Sequence, residues 1–145
     1  MKYTVNIDID CPREKVVALF HNPEHYPKWM NGLQRHEIIK GEFGKVGTIS
    51  SFEFKMGKRE MTMEEEVLKS DLPNMHTVSY KAGKVYNEVC NRFEEISENK
   101  TRIYNDQLFQ FKGFMKVMGW FMPGAFKKQS MKYLVDFKNF VEQEK

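Results

Sequence analysis

Cysteine is nearly absent. Cys11 and Cys90 are the two in 145 residues, too few for a disulfide framework and without metal-ligand spacing. They read as reduced, small apolar residues. Long apolar runs are missing as well: no stretch approaches the about 18 residues of a membrane-spanning helix. The N-terminus, Met1 to Asp8, alternates like a strand and holds no signal-peptide core. A cytoplasmic location is therefore expected, and the Asn99-Lys100-Thr101 sequon carries no weight. An excess of one charge is lacking too. The balance of 23 Lys and Arg against 20 Asp and Glu leaves +3 at pH 7, whereas phosphate binding needs clustered cations. No nucleic-acid partner is expected, no sequence feature points to a cofactor, and no oligomeric partner is assigned.

Phe and Met are abundant, with 12 Phe and 10 Met. Methionine fills irregular spaces better than branched residues do, so a core built on these two types suits a space that must adapt. At this length one domain spanning residues 1–145 is expected.

Residues 3 to 9 alternate, with Tyr3, Val5, Ile7 and Ile9 on one face and Thr4, Asn6 and Asp8 on the other. Cys11-Pro12 ends this strand, and Pro12 suits a helix start. Val16, Val17, Leu19 and Phe20 give a short helix an apolar side. Asn22-Pro23 breaks it, and a second short helical turn follows from Pro23. From residue 33 to 111 the period is two. Turn residues interrupt it at Gly41 to Gly47, Met56-Gly57-Lys58, Asp71 to Asn74, Ala82-Gly83-Lys84 and Glu98-Asn99-Lys100. Six strands of an antiparallel meander result. After Gly113 the spacing of Met118, Met122, Phe126, Tyr133, Phe137 and Val141 is that of one helical stripe, with a break expected at Pro123-Gly124.

The fold class is thus α+β: a curved seven-stranded antiparallel sheet, two short helices after strand 1, and a long C-terminal helix over residues 114–143. An open sheet must cover its apolar face, and that helix is the element long enough to do so. Curvature then leaves a space between them unless side chains fill it.

In this order the chain resembles the START-like helix-grip superfamily, of the SRPBCC or polyketide-cyclase type. The resemblance spans nearly the whole chain. It rests on the strand running into Cys11-Pro12, on Asn22-Pro23-Glu24-His25-Tyr26-Pro27-Lys28-Trp29, and on Gly44-Lys45-Val46-Gly47-Thr48. Further support comes from Ser70-Asp71-Leu72-Pro73, Lys100-Thr101-Arg102, and Phe109-Gln110-Phe111-Lys112-Gly113 ahead of the last helix. It implies binding of hydrophobic small molecules such as lipids, isoprenoids or polyketides. Some members are cyclases, hydrolases or dehydratases, but no member's catalytic motif is matched in this sequence.

The ligand-lining residues expected from the strand faces and helical stripe are Phe52, Phe54, Met61, Met63, Val89, Phe109, Met118, Met122, Phe126 and Tyr133. Polar residues interrupt the inward faces at Glu65, Asn87, Asn91, Asn105 and Gln107, with Ser50 a further candidate. A buried polar group without a partner costs about 1–3 kcal/mol. These groups therefore either bond one another or water, or orient a ligand's head group; Glu65, Asn91, Asn105 and Gln107 are the orienting set. Glu65, set between Met61, Met63 and Val67, would have a raised pKa if desolvated. It is the one candidate acid or base for a cyclase- or hydrolase-type reaction.

His21 and His25 flank Pro23 without a third ligand, so no metal site is expected and exposed loop histidines are the default reading. His36 and His76 show no local pattern. Residues 114–126 carry apolar side chains on more than one face, ringed by Lys112, Lys116, Lys127 and Lys128. That segment either packs on the sheet or forms a lid or docking surface for transient membrane or protein contact, with Pro123-Gly124 as a hinge.

Overall fold

The computed structural model describes residues 1–112 and 123–144. Strand β1 (Lys2–Ile9) leads into helix α1 (Arg13–Phe20), a 3-10 turn (Pro23–His25) and helix α2 (Tyr26–Trp29). The meander follows as β2 (Leu33–Lys40), β3 (Ile49–Met56), β4 (Arg59–Asp71), β5 (Met75–Ala82), β6 (Val85–Ser97) and β7 (Lys100–Phe111). Helix α3 (Pro123–Gln143) closes the chain. The seven strands form one antiparallel sheet in the order β1-β7-β6-β5-β4-β3-β2. This is the helix-grip arrangement that the period-two segments and the terminal stripe predict.

The short helices form where the sequence permits. The Asn22 side chain accepts a hydrogen bond from the Glu24 N–H at 3.0 Å, capping the 3-10 turn whose first residue is Pro23. The expected break at Pro123-Gly124 adjoins residues outside those described. Met118, Met122, Trp120 and Lys116, and with them most of the 114–126 segment, lie outside the described residues. Among those described, no helix is long and apolar enough to cross a membrane.

The core sits between the sheet's concave face and α3. Leu134, Phe137, Phe140 and Val141 of α3 are buried. They join Ile9 and Val5 of β1, Val16 of α1, Tyr26 and Trp29 of α2, Phe52 of β3, Phe93 of β6 and Ile103 of β7. Phe137 is the hub, with ring centroids 5.5 Å from Phe20 and 4.8 Å from Trp29. Aromatic pairs at such separations add to the gain from burial. Where α3 crosses β1, the Tyr3 hydroxyl donates to the Phe126 carbonyl at 3.0 Å and lies 2.7 Å from Ser130 Oγ.

Two details re-aim side chains. β2, at the sheet edge, carries irregularities between Leu33 and Arg35 and between Ile38 and Lys40, as edge strands do to resist pairing with other chains. In β4, Val67 pairs with Val78 but Lys69 pairs with Thr77. Leu68 is thereby an extra residue that reverses the alternation beyond it. Ser70 comes to face His76 as a result, and its Oγ lies 2.9 Å from His76 Nδ1.

Because Phe137 touches all three covering helices' worth of apolar surface, Phe137→Ala is expected to cost about 3–5 kcal/mol in urea unfolding. Val135→Ala, at a position 37% exposed on the same helix, should stay within about 0.5 kcal/mol.

Candidate functional site

A small void remains where β3, β4, β5 and β6 face α2 and α3. It measures about 30 Å³, and Phe20, Tyr26, Trp29, Met30, Tyr80 and Tyr133 form much of its apolar wall. That volume holds one or two waters. Polar groups converge on it: Glu65, His21, His76, Thr48, Ser50 and Asn91.

Glu65 is placed there by register. It pairs with Ser50 on one side and Tyr80 on the other, so all three side chains share the concave face. Burial pushes the Glu65 carboxyl up to about 7, offset in part by a hydrogen bond from Tyr80. Burial and the neighbouring Glu65 charge raise the Tyr26 and Tyr80 phenols, and Tyr133 is raised by burial, with Tyr26 and Glu65 adding to it. Glu65 therefore stands among three neutral phenols. Among the described residues it has no ion pair, and no Lys or Arg borders the void. The Trp29 indole N–H is also buried without an acceptor among the described residues.

The other wall is imidazole. His21 and His76 sit with ring centroids 5.2 Å apart, and His21 lies 4.6 Å from Phe43. Burial, with repulsion from His21 second, pushes His76 down to about 4, and burial lowers His21. Both are neutral at pH 7. Gly44 lets the loop close on this pair. Its φ is +81°, and a Cβ there would stand 2.5 Å from His21 Nε2.

The inward amides mostly satisfy one another. Asn87 Nδ2 donates to Gln107 Oε1 at 2.8 Å, Gln107 Nε2 to Asn105 Oδ1 at 2.6 Å, and Asn105 Nδ2 to Asn91 Oδ1 at 2.8 Å. Only the terminal member, Asn91, borders the void. Asn105, fully buried, and Gln107 are thus structural links behind the wall, because each amide already holds a partner.

The structure distributes the remaining candidates. Of the expected lining set, Tyr133 borders the void with Glu65 and Asn91. Phe52 is buried core, its ring 5.9 Å from Tyr26, with Phe54 stacked on it. Met63 pairs with Phe52 and is half-buried. Val89 packs in a separate cluster with Val67 and Val78. Phe109 and Phe126, 5.0 Å apart, form an aromatic group with Phe111 and Tyr3 beyond the amide chain. Met61 does not line the space: it is 41% exposed, because it pairs with Phe54 close to the β3–β4 turn.

The reading of His21 as an exposed loop residue is also corrected, since α1 ends by turning it onto His76. His25 lies against Phe140 at 5.3 Å. Among the described residues no group of three or more His, Cys, Asp or Glu could hold a metal ion. Sequence reasoning missed His76, although it sits two residues before Val78 on the same face. Tyr26 and Trp29 were missed because a four-residue helix has no readable period. A recess of about 310 Å³ between the 3-10 turn and β2, bordered by Pro23, Pro27, Leu33 and Arg35, opens broadly to solvent and lacks this convergence.

The comparisons agree with the geometry. The model of a family described as polyketide cyclase/dehydrase and lipid transport matches residues 1–138. Comparison with curated proteins finds no match. A conserved protein from Geobacillus kaustophilus superposes with a TM-score of 0.80 at 15% identity, over 99% of this chain and 96% of its own. The Zhui aromatase/cyclase from Streptomyces sp. R1128 gives 0.78 at 11% identity, over 99% and 94%. A START superfamily protein from Mycobacterium smegmatis gives 0.78 at 12% identity, over 99% of each chain. At these identities the likeness is one of fold.

Glu65 and His76 act on stability in opposite directions. Glu65 has a folded pKa of about 7 against an ordinary 4.5, so its cost is absent below about pH 4.5 and complete above about pH 7. His76, at about 4 against 6.5, costs nothing above about pH 6.5 and most below about pH 4. Between pH 4 and pH 8, Glu65→Gln should therefore gain about 1–3 kcal/mol relative to the unsubstituted protein in urea titrations. A pH-independent difference would show that Glu65 is solvated.

Proposed function

The chain belongs to the polyketide cyclase/dehydrase and lipid transport family, and on that premise we propose that it binds a hydrophobic small molecule between the sheet and α3. Its polar end is held at Glu65. One observation carries this reading: a desolvated carboxyl, three phenols and two neutral imidazoles converge on one void. A fold that needed only stability would have filled that position with an apolar side chain.

The void takes a polar head and no more. An apolar tail requires side chains of its wall, such as Phe43 and Met30, to swing aside. Rotamer changes of this kind commonly accompany binding, and a Phe- and Met-rich wall permits them at low cost. The ligand's tail is then desolvated, which contributes about 25 cal/mol per Å² of apolar area removed from water.

Native mass spectrometry of the purified protein tests this. Reproducible excess mass that disappears on denaturation is expected, and the released compound is identified after extraction. Ser50→Leu, which fills the void beside Glu65, should retain the circular dichroism of the unsubstituted protein and return the apo mass. Unchanged ligand occupancy in that variant would overturn the placement.

A second reading has its own observation. A carboxyl at about 7 is half ionised at neutral pH, the condition under which a general acid or base works best. Glu65 would then move a proton to or from the bound molecule in a cyclase- or hydrolase-type step. Loss of turnover in Glu65→Gln, with a pH–rate curve inflecting near 7 in the unsubstituted protein, is the expected signature. Full activity in the variant would sink this role.

A further inference from the structure

We propose that the group held at Glu65 is a cation, and that the ligand class is a hydrophobic amine whose protonated nitrogen sits between the Glu65 carboxylate and the rings of Tyr26, Trp29, Tyr80 and Tyr133. This rests on the binding reading above and specifies its chemistry. The inference starts from a missing partner. The half-buried carboxylates Asp8 and Asp106 are met by Arg102 and Arg92, each through two hydrogen bonds. Glu65, which borders the void and whose carboxyl is strongly desolvated, has no such countercharge among the described residues.

What surrounds it instead is aromatic. Trp29 lies 5.0 Å from Tyr133 and 6.2 Å from Tyr26, in edge-on arrangements, and Tyr80 pairs with Glu65 across β4 and β5. Aromatic faces attract ammonium groups by their quadrupole, and the attraction grows as water is excluded. An anionic or purely apolar ligand gains nothing from a carboxylate in this place. The void of about 30 Å³ suits an ammonium group, which is about the size of one water.

The titratable groups facing this point are Tyr26 from α2, Tyr80 and His76 from β5, Tyr133 from α3, and His21 at the end of α1. The phenols are raised and the imidazoles lowered, so none contributes a competing positive charge at pH 7. A bound ammonium would stabilise ionised Glu65, and binding below the pKa of the free site must release a proton.

The probes are n-octylamine, n-octanol and n-octanoate, titrated calorimetrically into the full chain at pH 7.5 and pH 6. Octylamine should bind at least about tenfold more tightly than octanol at pH 7.5. At pH 6, in buffers of different ionisation enthalpy, it should release close to one proton per site. Glu65→Gln should abolish the preference for octylamine over octanol. Tyr133→Phe, which keeps the ring, should preserve the preference, and Tyr133→Leu should weaken it severalfold.

Octanol binding as tightly as octylamine would overturn the cation and leave the hydrophobic-ligand reading standing, with the unpartnered Trp29 N–H and the phenols as donors to oxygen. Preference for octanoate, or octylamine binding without proton release, would overturn it equally. No binding by any of the three would overturn both readings.

Discussion

Everything in this molecule depends on covering one concave, apolar sheet face with one amphipathic helix. Seven strands present more apolar surface than α1 and α2 can bury, and α3 supplies the rest through Leu134, Phe137, Phe140 and Val141. Phe137 wedges between Phe20 and Trp29. One ring therefore fixes the spacing of all three helices, and with it the size of whatever space remains above β3 to β6. Tyr3 bonding to Ser130 and Phe126 fixes the same helix at the β1 edge.

That remaining space divides the buried polar groups into two kinds. The amides of Asn87, Gln107 and Asn105 each donate to the next member of a chain that ends on the Asn91 carbonyl oxygen. Their burial is offset locally, and they stiffen the β6–β7 pairing without asking for anything from outside. Glu65 is different. Its Tyr80 partner supplies one hydrogen bond, against a desolvation large enough to move the carboxyl to about 7. A charge left in that condition is a cost to the fold, which the carboxyl sheds by taking up a proton as the pH falls through about 7. His21 and His76, kept neutral opposite it, avoid adding a cation that would quench the site from within.

The contrast between Met61 and Tyr26 shows how position within an element decides a role. Met61 is on the inward face by alternation, yet its place near the β3–β4 turn leaves it in solvent. Tyr26 belongs to a four-residue helix with no pattern to read, yet the chain's entry through Asn22-Pro23 carries its ring onto Phe52 and toward Glu65.

The sequence by itself determined the seven strands, their inward faces and the stripe of Phe126, Tyr133, Phe137 and Val141, because period two and period 3.6 are local consequences of backbone geometry. It also placed Glu65 on an inward face, since alternation runs unbroken from Met61 to Val67. Tertiary structure alone decided the rest. The extra residue at Leu68 reversed the alternation and brought Ser70 to His76, and helix ends delivered His21, Tyr26 and Trp29 to the same point. Local period records which way a side chain faces, not how far along the sheet it lies or what stands opposite. A void is the volume left over by side chains far apart in sequence, and it exists only once they have been packed together.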